Sequence, residues 1–381
     1  MTRRPADHGA PGRPWPTIEQ EQLLRLALQP SAAALDSLRG IHVARLDTGS
    51  RRLLPLLYPV LRDLDARGPL RDEAHAAYRS AASWNAALLQ HAHRLIQDLT
   101  ATGVPTLVLK GVALVLACYR DPSRRSMADL DLLIPITRLF PTLTVFHRGG
   151  WSPAYVLTPS FIRTRHAAPF ISAEGTSCDL HWRVFPEPTP PGVEESLWAA
   201  SIPVDLLGTA TRVLSCADQL LHVCLHGARW APVPALWWIS DAVAVIGTGQ
   251  VDWDRVVSQA VKGRFVLRVR EALAYLRERL DAGVPAEVVS RLRALPTSSL
   301  ERLEWRLIAR EHQLLGELPT YWCHHRRSDE GAGLRGVLRF PRYLGDAWGL
   351  RSLADVPRAG IRRATARVTA ALRRVGSSRA T

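Results

Sequence analysis

The stretch LVLKGVALVLACYRDPSRRSMADLDLLI, residues 107–134, constrains the fold more than any other part of the chain. It extends the β-prone VPTLVL (104–109), which runs into a Lys110-Gly111 turn. The helix-length apolar run VALVLACYR (112–120) follows and is stopped by Asp121-Pro122, because proline supplies no N–H to continue a helix. DLDLLI (129–134) alternates in part and ends at Pro135, as a strand does. Strand, glycine turn, helix and strand in so short a space describe a packed α/β core. The three charges it carries, Lys110, Asp129 and Asp131, therefore need a reason.

Successive strand side chains point to opposite faces, so Asp129 and Asp131 share one face and Leu130 is buried on the other. Two carboxylates that close raise each other's pKa unless a cation sits between them. A divalent metal is the usual answer, and hard oxygen donors suit Mg²⁺. A solvated Asp-x-Asp is the plainer alternative. TSCDLHWRVF (176–185) repeats the pattern: Asp179 and His181 share a strand face, Leu180 takes the other, and Asp179 can complete a cluster of three carboxylates. At the Lys110-Gly111 turn, free backbone N–H groups and the positive end of a helix can receive phosphate. Of the 49 basic residues only Lys110 and Lys262 are lysines. A chain that otherwise spends arginine on its surface marks with lysine a place where a compact ammonium is wanted. Chance survival accounts for Lys262.

Elsewhere the pattern is mainly helical. PTIEQEQLLRLALQP begins with Thr17 as an N-cap and Gln20 three residues on. The segment 72–103 reads as one long amphipathic helix and 137–148 as another. PEPTPPG (186–192) is the clearest linker, and beyond it SCADQLLHVCLHGARW, ALWWISDAVAVIG, WDRVVSQAV, RVREALAYLRERLDAG and 299–315 are helical. The expected organisation is a disordered lead (1–16), an N-terminal helical region (17–100), an α/β core (101–186), a helical domain (187–323) and a basic tail (324–381). The fold class is α+β, a small mixed sheet with flanking helices and a mainly helical C-terminal domain.

With 47% apolar and 22% charged residues the chain is globular and long enough for more than one domain. The N-terminal segment lacks the layout of a secretory signal, and the most apolar stretch is short and interrupted by Lys110, so a cytoplasmic protein without stable membrane insertion is expected. Five dispersed cysteines fit reduced core residues. Of the net charge of +14, the segment from His324 onward carries +9, from thirteen arginines and four acids. Its Ile361, Val368, Leu372 and Val375 lie near one face, and Arg358, Arg362, Arg363, Arg367, Arg373 and Arg374 lie mostly on another. A surface helix is the plain reading, with a membrane surface, RNA or an acidic partner as alternatives. Asp218, His222 and His226 have metal-compatible helical spacing, but an N-cap at Ser215 and packing against tryptophans explain them better. Trp230, Trp237 and Trp238 form either a stacking surface or part of a helical core.

Taken together, the Lys110-Gly111 turn, Asp129-x-Asp131, a "GGW" turn, "CDLHWRVF", "ADQLLHVCLHG" and "WWISDAV" resemble the nucleotidyltransferase superfamily of the polymerase-beta type. More narrowly, they resemble a family of uncharacterised bacterial nucleotidyltransferases found in biosynthetic gene clusters, including those for lasso peptides. The resemblance covers residues 75–280 and departs at one point: the usual Gly-Ser turn is Lys110-Gly111 here. It implies that the sheet is of the nucleotidyltransferase type. Asp129, Asp131 and Asp179 would hold two Mg²⁺ ions, and Asp179 could act instead as a base. Lys110, Gly111, Arg124 or Arg125, and His181 would bind the nucleoside triphosphate, with ATP the expected donor. The acceptor would be a small molecule or peptide, and His226 and Asp241 could contact the acceptor or the base. Two other outcomes are a catalytically silent protein of this fold that binds a peptide or cluster partner, and an enzyme acting on RNA.

Overall fold

The computed structural model describes residues 14–229, 231, 235–309 and 317–377, with side chains through 366, apart from 329, and at Thr369. Most of the expected lead, Trp230, the segment 310–316 and the tail side chains Arg367, Val368, Leu372, Arg373, Arg374 and Val375 lie outside the described residues.

Seven strands form one mixed sheet: β1 (Leu107–Leu109), β2 (Leu130–Leu133), β3 (Ser152–Pro153), β4 (Ala167–Ile171), β5 (Ser177–His181), β6 (Ile202–Leu206) and β7 (Thr209–Val213). Their spatial order is β3-β4-β5-β2-β1-β7-β6. The central β2 runs antiparallel to β1, with Leu109 opposite Asp131, and parallel to β5, with Asp131 opposite Asp179.

The two faces of the sheet bury different residues, as strand parity requires. Val108, Leu130, Leu132, Cys178 and Leu180 pack with Leu88, Ala92, Leu95, Ile96 and Leu99 of the long helix Pro69–Ala101. Leu107, Leu109 and Leu133 face the other way, into a core built from the N-terminal helices and the helices after residue 216. Each of these fully buried leucines contributes on the order of 1.5–3 kcal/mol. On this second face lie Asp131 and His181, both nearly fully buried. A pair of apolar cores thus holds a polar row between them.

Thr17 caps the helix Ile18–Leu28 in the expected capping box with Gln20. The long helix extends from Pro69 to Ala101, a few residues earlier than its periodicity indicates. The run after the turn splits into a helix Lys110–Leu114 and a wider π-helical turn Val115–Tyr119, closed by Arg120 at φ 57°.

Two strand pairs depart from the sequence reading. β4 contains Pro169, which masks its strand character. The hairpin β6–β7 lies inside the stretch read as helical, and β7 joins β1 in parallel. Its turn, Leu207 and Gly208 at φ 53° and 87°, takes the two positive φ values of a tight hairpin without the usual Asn or Asp to announce it. PEPTPPG is not a loose linker either: Glu187 within it is buried and paired with Arg268 at 2.5 Å. Among the described residues no helix is long and apolar enough to cross a membrane.

Candidate active site

Asp131 is the centre of the site. Its Oδ1 accepts hydrogen bonds from Lys110 Nζ at 2.6 Å and from His181 Nε2 at 3.1 Å. Burial alone pushes this carboxyl up, but His181 and Lys110 outweigh it and hold Asp131 well below the ordinary range. Donor atoms of Asp131, Asp179 and His181 all lie within 4.8 Å of one another. Asp129 stands outside that trio, immediately ahead of β2. Burial, then the charges of Asp131 and Asp179, push it up to about 6. Strand parity thus sets Asp131, Asp179 and His181 together, with Asp129 within electrostatic reach.

This donor set fits a hard divalent cation. Asp131, Asp179 and His181 converge, and the repulsion of the two carboxylates is visible in Asp129 beside them. Among the described residues neither Asp129 nor Asp179 makes an ion pair, while Lys110 pairs directly with Asp131, and oxygen donors of this kind suit such a cation.

In front of these groups is a cavity of about 360 Å³. Lys110, Gly111, Asp129 and Asp131 form one wall, Arg124, Arg125 and Met127 a second, and Trp237, Ser240 and His226 a third. Arg52, Leu53 and Leu56 reach it from the N-terminal helices. Asp179 and His181 meet Asp131 from β5 and do not line this space.

The local backbone explains Lys110 and Gly111. Lys110 takes φ 46°, an uncommon conformation for a residue with a side chain, where strand becomes helix. Gly111 is required by crowding: an added Cβ would stand 2.7 Å from Arg125 Nη1 and 3.0 Å from Met127 Cγ.

The loop after Asp121 is pinned to the long helix. Asn85 Nδ2 donates to the carbonyls of Pro122 at 2.6 Å and Arg125 at 2.7 Å, and Tyr78 donates to Asp121 at 2.9 Å. This loop separates its two arginines. Arg125 is buried, with Nε and Nη2 each 2.8 Å from an oxygen of Asp241, and its Cζ lies 5.1 Å from the centre of the Trp237 ring. Arg124 lines the cavity, and its Nε has no hydrogen-bond partner among the described residues. Arg124 is therefore the cation available to a ligand, and Arg125 forms the wall.

Asp241 is corrected by the same geometry. It is wholly enclosed, and the Tyr119 hydroxyl also donates to its Oδ1 at 2.8 Å, so both oxygens are taken and no acceptor can reach it. His226 does line the cavity, 6.0 Å ring to ring from Trp237. Burial, with Lys110 and Arg229 adding to it, holds His226 well below its ordinary pKa, hence neutral. Trp238, in contrast, is core, packed near Trp15 and Tyr275. Asp218 is held by Arg255, with contacts down to 2.7 Å, which removes it from any metal set with His222 and His226.

Sequence reasoning missed Tyr119 and Asn85, and left Trp237, which lines the cavity, open between a stacking surface and a helical core. For Asn85 a signal exists: a lone amide on the apolar stripe of a long helix must satisfy its polar atoms somewhere.

No curated protein matches the chain. A solution structure of the antibiotic-resistance factor ANT(2'')-Ia is 13% identical at TM-score 0.31, covering 52% of this chain and 95% of its own. A crystal structure of an antigenic nucleotidyltransferase-like protein from Paracoccidioides brasiliensis is 19% identical at TM-score 0.36, covering 56% of this chain and 94% of its own. The profile of a family described as uncharacterised nucleotidyltransferase matches residues 49–281, a span that holds β1 to β7, every cavity-lining residue and the helices behind them. Since that span is well over half of its length, the chain belongs to the uncharacterised nucleotidyltransferase family.

Proposed function

We propose that the chain is a Mg²⁺-dependent nucleotidyltransferase, moving a nucleoside monophosphate from a nucleoside triphosphate to the hydroxyl of a small molecule or peptide. The observation that supports this most is the grouping of Asp131 with Asp179 and His181, their donor atoms within 4.8 Å of one another, behind a cavity lined by Lys110, Asp129 and Asp131. Asp129, Asp131 and Asp179 would hold the metal, as two ions in a two-metal scheme. Held there, Mg²⁺ would neutralise phosphate charge and lower the pKa of the attacking hydroxyl.

The chain's own groups do the rest. Lys110 pairs with phosphate oxygens, leaving Asp131 free to act as a ligand. Arg124 adds charge at the cavity wall, and Gly111 lets phosphate approach the backbone. His181, donating to Asp131, fixes that carboxylate's orientation. Asp179, next to Asp131 from β5, would hold the second ion or take the acceptor's proton. The neutral His226 and the Trp237 ring offer a surface for the base or acceptor. ATP as donor, a cytoplasmic setting and a biosynthetic-cluster acceptor of the lasso-peptide kind are part of this reading through the family resemblance.

Incubation with each nucleoside triphosphate, Mg²⁺ and an acceptor mixture, followed by mass spectrometry, tests it. A mass increment of one nucleoside monophosphate with release of pyrophosphate is expected, and Asp131→Asn should abolish it. Turnover that survives Asp131→Asn, or an increment of phosphate alone, would overturn the mechanism.

A further inference from the structure

A second cavity, of about 230 Å³, lies among Glu187, Arg229, Arg268, Glu304 and His324 and shares no lining residue with the first. Its charges do not balance. Arg268 pairs with Oε1 of Glu187 at 2.5 Å and also donates to the Leu225 carbonyl. Arg327 occupies both oxygens of Glu304, at 2.5 and 2.6 Å. Burial brings His324 down to about 4 and keeps it neutral. Arg229 is left without an ion pair among the described residues. Its Nε, the Nε of Arg268 and Oε2 of Glu187 are buried and have no hydrogen-bond partner there. Arg229 is half-buried as a whole, but its Nε is out of reach of solvent, and a desolvated donor on a cation is costly unless an acceptor answers it.

The unmet groups are two donors on cations and one carboxylate acceptor. Polyphosphate fits badly, because Glu187 would repel it. Burial pushes Glu187 up, but the charges of Arg268, Arg229 and Arg327 outweigh it and hold this carboxyl well below its ordinary range, so it remains charged. A carboxylate next to an N–H matches both signs. The volume also falls below the roughly 300 Å³ at which pockets for larger ligands begin. His166 stands between the two regions: its ring lies 5.2 Å from that of His181, and it is within electrostatic reach of Lys110, Glu187 and Arg229 alike.

We infer that this cavity anchors the acceptor by an amino-acid-like end, its carboxylate received by Arg229 and the Nε of Arg268 and its N–H donated to Oε2 of Glu187. The inference rests on the transfer reading for its word acceptor. It identifies that acceptor as a free amino acid or a peptide with an unblocked C-terminus.

The full chain, without nucleotide or Mg²⁺, is equilibrated with a tetrapeptide pool ending in free carboxylate, with the same pool as C-terminal amides, and with a mixture of free amino acids. Retained species are read by mass spectrometry. Retention of the free-acid pool or of the amino acids is expected, with a loss of at least about tenfold on amidation and a similar loss in Arg229→Gln. Asp131→Asn should bind as the native chain does. Which source is retained names the acceptor class. Equal retention of acids and amides, retention of neither source, or displacement of the peptides by ATP would overturn the inference. The acid-amide comparison uses the native chain, so it holds even if Arg229→Gln fails to fold. A chain that binds these carboxylates but transfers nothing defeats the transfer reading alone. One that transfers nucleotide but ignores the carboxylate defeats this inference alone.

Discussion

The pair Arg125–Asp241 separates a wall from a binding group, and its removal has a calculable cost. Asp241→Ala takes away three hydrogen bonds of 2.8 Å, two from Arg125 and one from Tyr119, at a position with no exposed surface. The Arg125 charge is then left buried without a partner, for which about 3–5 kcal/mol of destabilisation is expected. Arg125→Met alone should cost a similar amount, since it strands the Asp241 carboxylate. The double variant Arg125→Met, Asp241→Leu replaces the pair by apolar groups. It should recover more than half of the loss, with about 1–3 kcal/mol remaining for the unpaired Tyr119 hydroxyl. Urea unfolding of the three variants provides the assay, and the double-mutant cycle should show a coupling of about 2 kcal/mol or more. If Asp241→Ala lies within about 1 kcal/mol of the native chain, or the two substitutions add, the pair does not hold the cavity wall and the reasoning fails.

Two further outcomes concern other parts of the molecule. Gly111→Ala introduces a Cβ 2.7 Å from Arg125 Nη1, so titration with a fluorescent nucleotide should show affinity reduced by about tenfold or more while the chain stays folded; unchanged affinity would mean that the approach at this turn is not limiting. Glu194 accepts a hydrogen bond from the Val184 N–H at 2.9 Å, and burial pushes it from 4.5 up to about 7. Between those values the folded chain holds a proton that the unfolded chain has lost, so this group's contribution to stability is present at low pH and is lost as pH rises through about 7. Glu194→Gln should therefore be more stable than the native chain at pH 8 by about 2 kcal/mol, allowing for solvent screening, with the gap closing towards pH 5 in denaturant titrations. A gap of the same size at both pH values would show that ionisation is not its cause.

The candidate site was legible wherever its geometry is a property of neighbouring residues. Asp129-Leu130-Asp131 and Asp179-Leu180-His181 have period two written into them, and burial of Leu130 and Leu180 on one face fixes the carboxylates on the other. The scarcity of lysine pointed to Lys110, which bonds to Asp131. The hairpin β6–β7 was not legible, because Leu207 takes a conformation that its side chain disfavours and only pairing with the rest of the sheet enforces it.

The sequence alone thus determined the strand faces, the acidic row, the turn beside it and the helical character of most of the C-terminal half. Tertiary structure decided which charges answer one another. Among 47 arginines no local rule says that Arg125 belongs to Asp241, 116 residues away, while Arg124 stays available and Arg229 makes no ion pair among the described residues. Periodicity is set by the covalent geometry of adjacent residues. Charge pairing inside a core is set by which segments the packing brings together, and that exists only once the whole chain has folded.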